Sequence, residues 1–153
     1  MIQTLTILHI LSMFIAFGLT TGAGIVLAGV AASDNVGAIR AATKIVSPLQ
    51  IAGGIVLVLG LIFGIALAAI AGFGLTALWL IIAYVIAALL VGIGLGIHQP
   101  WTRRLAAAAA ASPDQEASSQ LRTVAADRIV RIAGPLSGLL WIAIIADMVL
   151  KPA

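Results

Sequence analysis

Residues 1–33, 45–102 and 132–146 contain no acidic or basic side chain. A soluble domain does not leave runs of that length uncharged, because about a quarter of its residues carry charge. This chain is 8% charged and 63% hydrophobic, too little charge to coat a globule of 153 residues, so most of its surface faces lipid. A helix crossing a hydrocarbon core about 30 Å thick takes about 20 residues. The first and third runs hold one span each. The second holds two, divided at the glycine-rich turn Ala71-Gly72-Phe73-Gly74. Runs such as Ile55-Val56-Leu57-Val58-Leu59 lack the alternation of a membrane β-barrel. The expectation is an all-α fold, a single integral membrane domain over 1–153 with spans about 4–31, 45–71, 75–97 and 129–150.

The charges that remain orient the bundle. Arg40, Lys44, Arg103, Arg104, Arg122, Arg128 and Arg131 all fall on the side that holds the connections between spans one and two and between spans three and four. Only Lys151 lies opposite. Since positive loops stay in the cytoplasm, the chain reads as a multi-pass protein of the bacterial cytoplasmic membrane with both termini periplasmic or extracellular. The net charge of +3 therefore has a topological origin, and no nucleic-acid binding is read from it. The first apolar run is too long for a signal peptide and follows no Lys or Arg, so it is read as the first transmembrane helix. The chain has no cysteine, which removes disulfides, thiolate metal sites and Cys nucleophiles together.

The connection 98–128 is the one sizeable polar segment. Its alanine run Ala106 to Ala111 carries the highest intrinsic helix propensity, so the third helix is expected to continue into the cytoplasm. Ser112-Pro113-Asp114-Gln115 reads as a helix start, with Ser as cap, Pro at the first helical position and Gln as capping-box partner. The fourth helix would then begin near 113, and Asp127 would pair with Arg131 one turn on. A cytoplasmic helical hairpin between helices 3 and 4 follows, with a flexible linker as the alternative.

Lipid tails are as apolar as leucine, so helices in a bilayer associate where small residues permit close approach. Each span supplies one GxxxG pair: Gly18/Gly22, Gly60/Gly64, Gly92/Gly96 and Gly134/Gly138. Tight packing within the chain is expected from them. A homo-oligomer face, or a face toward a larger membrane complex, is the other use. Pro48 and Pro135 fall just inside the ends of helices two and four and would bend them.

Ionisable side chains inside a membrane are functional candidates by default, and two remain once the spans are drawn, His9 and Asp147. Both lie in the outer leaflet, where a His9–Asp147 hydrogen bond would lower the desolvation cost of each. Met13 and Met148 fall beside them. Thioether and imidazole suit Cu(I), and imidazole suits haem iron, so His9, Met13, Asp147 and Met148 form a candidate metal set, with His9 also a candidate cofactor ligand. His98, at the other end of the third helix, reads as an interfacial residue beside Trp101. Thr20, Thr21, Ser47 and Gln50 read as packing residues. No phosphate loop, HExxH, Ser/His/Asp set or paired membrane carboxylates are present.

The opening Leu8-His9-Ile10-Leu11-Ser12 with Gly18, and the closing Met148-Val149-Leu150-Lys151-Pro152, resemble an uncharacterised bacterial family of four-helix integral membrane proteins. That family is distantly similar to copper-resistance protein D and to HemJ-type proteins, which open on a comparable Leu-His-Ile segment. The resemblance implies the four-helix fold, and it implies haem b or copper chemistry at the matching residue, His9. Two functions follow as expectations. One is a structural or accessory membrane subunit without catalytic machinery, in contact with lipid and a larger complex or a second copy. The other is a haem b- or copper-binding membrane protein. A proton or solute pathway through His9 and Asp147 is a third.

Overall fold

A computed structural model describes residues 1–151; Pro152 of the closing motif lies outside the described residues. Among the described residues the only regular elements are helices: α1 Ile2–Ala31, α2 Val36–Ile70, α3 Leu78–Ala111, the short α4 Ser119–Ala125, and α5 Arg128–Leu150. Helices α1, α2, α3 and the stretch 119–150 containing α5 are each long and apolar enough to cross a membrane. α1 and α3 each contain one π-helical turn, Gly18–Gly22 and Gly94–His98.

One end of the bundle, here the basic end, holds Arg40, Arg104, Arg122 and α4. The opposite end holds the turn after α2 and the close of α5. At that turn Gly72 takes φ +78, a conformation glycine adopts without a Cβ penalty. Lys151 ends α5 and sets its ammonium 4.6 Å from the ring centre of Phe73 and 5.5 Å from that of Trp79, a cation–π contact that ties the two hairpin ends together.

The basic end departs from the expected boundaries in instructive ways. α2 begins at Val36, well before the expected 45, because Asn35 caps it: Oδ1 accepts from Ala38 N at 2.9 Å. Ser112 does not open a helix. It closes α3, its hydroxyl bonding back to Ala108 O at 2.9 Å and across to Ser118 Oγ at 2.8 Å. With that oxygen spent backwards, Pro113 starts a loop, and Ser118 caps α4 by accepting from Leu121 N at 3.1 Å. Asp127 does not pair with Arg131. It caps α5, accepting from Ile129 N at 2.9 Å, and its other oxygen meets Arg104 at 3.1 Å. An N-cap side chain folds over its own first turn and does not point along the helix. The helical hairpin itself is present: α3 continues through the alanine run to Ala111, and α4 packs back on it with Trp101 Nε1 donating to Val124 O at 2.9 Å. Trp101, 1% exposed, sits in a core with Leu27, Ile39, Leu105 and Leu121.

A second core, Ala16, Leu57, Ile86, Leu90, Trp141 and Ile144 among others, joins all four long helices in mid-membrane. The small-residue expectation holds for one pair in four. α1 lies on α2 so closely that a Cβ at Gly60 would stand 2.9 Å from Met13 Sδ, and one at Gly64 would stand 2.7 Å from His9 Cε1. At Gly53 a Cβ would meet Thr20 Cγ2 at 2.7 Å. Around Gly18, Gly92, Gly96, Gly134 and Gly138 no described atom of a neighbouring element lies within 4 Å of that position, and Gly22 meets only Phe17 O of its own helix. Spacing along a helix says which residues share a face; it does not say which face meets a neighbour.

Candidate functional site

His9 is held by α2. Its Nδ1 lies 2.7 Å from Gly60 O, and because a carbonyl oxygen only accepts, Nδ1 carries the proton of the neutral ring and Nε2 keeps the free lone pair. Met13, one turn further along α1, packs on the same Gly60. The expected His9–Asp147 hydrogen bond is absent. Asp147 is 8% exposed, and neither of its carboxylate oxygens has a hydrogen-bond partner among the described residues. Met13 and Met148 both border the mid-membrane core. The structure thus brings His9 and Met13 together on α2 and sets Met13 and Met148 against one apolar cluster, while Asp147 stands unpaired. Among the described residues no three His, Asp or Glu side chains lie close enough to hold one metal ion.

A second site was hidden among residues read as packing or interfacial. A cleft of about 360 Å³ opens between the helices toward the basic end; its lining is mainly apolar, with Ile51, Leu57, Val58, Leu90 and Leu95 among it, and includes Thr20 and Thr21 of α1, Gln50 and Gly54 of α2, His98 and Gln99 of α3, and Ser137 and Trp141 of α5. Both π turns border it, one through Thr20 and Thr21, the other through Gly94 and His98. Each π turn changes the angular register of its helix, which is why such turns concentrate at functional sites.

The hydrogen bonds around the cleft are directional. Ser137 Oγ donates its one proton to Ala133 O at 2.8 Å, so in its 3.3 Å contact with His98 Nε2 the serine oxygen accepts and Nε2 carries the proton. His98 Nδ1 is then the acceptor of the ring. Gln50 Oε1 accepts from Thr102 Oγ1 at 3.1 Å, which fixes its amide with the NH2 group as the uncommitted half. Trp141 Nε1 donates to Thr21 Oγ1 at 3.0 Å, and its ring meets Phe17 edge-on with centroids 5.7 Å apart. No Lys, Arg, Asp or Glu lines the cleft. One signal for it was available in the sequence. Positions 50, 98 and 137 each fall four or five residues inside a charge-free run, at one depth and on three different helices.

A family model described as "Predicted integral membrane protein (DUF2269)" matches residues 3–152. Neither a curated protein nor a solved structure matches the chain.

Proposed function

The chain belongs to DUF2269, a family of predicted integral membrane proteins, and we propose that it serves as a non-enzymatic accessory subunit, docked through α5 on a larger membrane complex or on a second copy of itself. The observation that carries this reading is the Gly134/Gly138 pair. Gly60/Gly64 is filled by His9 and Met13, whereas Gly134 and Gly138, like Gly92 and Gly96 beside the cleft on α3, have open space where a Cβ would stand. In lipid an unfilled small-residue face is the kind of surface on which another helix packs. The charge distribution supports an orientation with the basic end cytoplasmic and the termini periplasmic, in a bacterial inner membrane. Lys44, Arg103, Arg128 and Arg131 are exposed there, free to reach lipid headgroups. Purification in mild detergent tests the reading. A fixed partner or a homo-oligomer, lost in Gly134→Leu/Gly138→Leu while the helix content stays, supports it; wild-type protein that is monomeric and alone in lipid nanodiscs contradicts it.

A second reading has its own observation. The His9–Gly60 bond leaves Nε2 as the bare nitrogen, the tautomer in which an imidazole ligates a metal. His9 would then be the ligand to haem b or copper, with Met13, Asp147 and Met148 as further donors. The resemblance read in the Leu8–Ser12 segment, toward copper-resistance protein D and HemJ-type proteins, would point to the same residue. The visible spectrum and metal content of purified protein decide it. A Soret band or stoichiometric copper that disappears in His9→Ala supports it, and colourless, metal-free protein from haem- and copper-replete cells contradicts it.

A further inference from the structure

The cleft at Gln50 and His98 does not stand alone. A second groove, of about 460 Å³, runs on between α2 and α3 and shares Val91 with the first; Leu61, Ile65, Tyr84 and Ala88 line it. From Gln50 to Ile65 along α2 the two together extend about 22 Å at 1.5 Å per residue, the length of a long lipid chain. We propose that this continuous cleft binds one neutral amphiphile, with an uncharged head bearing hydroxyl or carbonyl oxygens among Gln50, His98 and Gln99 and an apolar tail along the groove toward Ile65.

Three features select that chemistry. The first is Gln50, nine-tenths buried at 9% exposure, with its oxygen committed to Thr102. Its NH2 group has no protein partner among the described residues, and it lines the cleft. A ligand oxygen entering the cleft can accept from that uncommitted amide hydrogen. The second is His98, whose proton on Nε2 is directed at Ser137, leaving Nδ1 to accept from a ligand hydroxyl. One donor and one acceptor at the same depth match a head group that carries both.

The third is charge. Neither pocket is lined by an ionised side chain, so a phosphate or ammonium head would be buried there without a counter-ion. A neutral head meets no such cost. The depth agrees as well: Gln50 and His98 lie close to the basic end of the charge-free runs, near the interface where lipid heads reside, and the groove leads from there into the bilayer interior. Glycines at 54 and 92 keep the cleft walls low, with no described atom within 4 Å of a Cβ at either position.

Native mass spectrometry of the full-length protein in detergent, titrated with dioleoylglycerol, decyl-benzoquinol or dioleoylphosphatidylglycerol, tests the proposal. One equivalent of a neutral probe is expected to bind at least tenfold more tightly than the anionic phospholipid. Preference between the two neutral probes identifies the source of the head group. Gln50→Leu and His98→Phe each should weaken binding about tenfold. Gly54→Phe, which fills the cleft from an open position and leaves every hydrogen bond intact, should abolish it with unchanged helix content. Equal retention of the anionic lipid, no neutral lipid on folded wild-type protein, or undiminished binding by Gly54→Phe would each overturn the proposal.

Discussion

The imidazole of His9 occupies the space that a side chain at position 64 would need: a Cβ built on Gly64 would stand 2.7 Å from His9 Cε1 and 2.8 Å from Nδ1. The same ring is tethered to α2 by the 2.7 Å bond from Nδ1 to Gly60 O. One polar side chain and one glycine pair therefore fix how α1 lies on α2. Helix contacts in lipid gain little from burial as such, so this close fit and its hydrogen bond carry the association.

Gly64→Leu is accordingly expected to destabilise the bundle by about 1–3 kcal/mol, the usual cost of overpacking a tight site. Gly96→Leu, where no described atom lies within 4 Å, should leave stability nearly unchanged. Unfolding by SDS titration in mixed micelles, followed by helix content, measures both. Equal effects at the two positions would contradict the packing described.

At the basic end, Arg40 reaches from α2 to the close of α3. Its Nε donates to Ala109 O at 2.9 Å and its Nη2 to Ser112 O at 2.6 Å, while Nη1 meets Asp114. Carbonyls at a helix C-terminus lack intrahelical donors and sit at the negative end of the dipole. Arg40→Ala should therefore cost about 1.5–3 kcal/mol, the range for charged hydrogen bonds. Asp114→Ala removes only an ion pair whose acidic partner is 86% exposed, and should cost under about 1 kcal/mol. Hydrogen exchange over 105–117 is the readout: strong acceleration in the first variant, little in the second.

The Trp141 indole joins α5 to the π turn of α1 through Thr21. A double-mutant cycle of Trp141→Phe and Thr21→Val should give a coupling of about 0.6 kcal/mol, typical for a neutral hydrogen bond between membrane helices. Zero coupling in SDS unfolding would mean that the bond is not made in the bilayer.

Much of this architecture was legible before any coordinates. Charge-free runs located the four membrane-crossing segments, and the alanine run located the extension of α3. Capping is ambiguous in the sequence where two residue patterns compete. Ser112-Pro113 has the signature of a helix start, but its hydroxyl is captured by Ala108 O, an interaction that depends on where α3 ends. The site was less legible. The sequence marks His9 as a polar group in an apolar run, yet its partner is a backbone carbonyl, a group every residue carries and no motif can mark. Gln50, His98 and Ser137 come together only because α2, α3 and α5 meet at one depth, and the π turns that set the local register have no residue signature.

The absence of cysteine makes orientation directly testable. Single substitutions Ser33→Cys and Gly74→Cys lie in turns at opposite ends of the bundle. With the basic end cytoplasmic, a membrane-impermeant maleimide should label Gly74→Cys on intact cells and Ser33→Cys only after permeabilisation. The reverse pattern would invert the proposed topology.

The accessory-subunit reading is tested most directly by photo-crosslinking in living cells from a photoreactive side chain at position 145. Ile145 is 61% exposed and lies two turns from Gly138 on the same flank of α5. The account predicts a discrete protein adduct, either a dimer of this chain or one partner of fixed size, and its loss when Gly134 and Gly138 are replaced by leucine. Adducts to lipid alone, unchanged by that replacement, would contradict it.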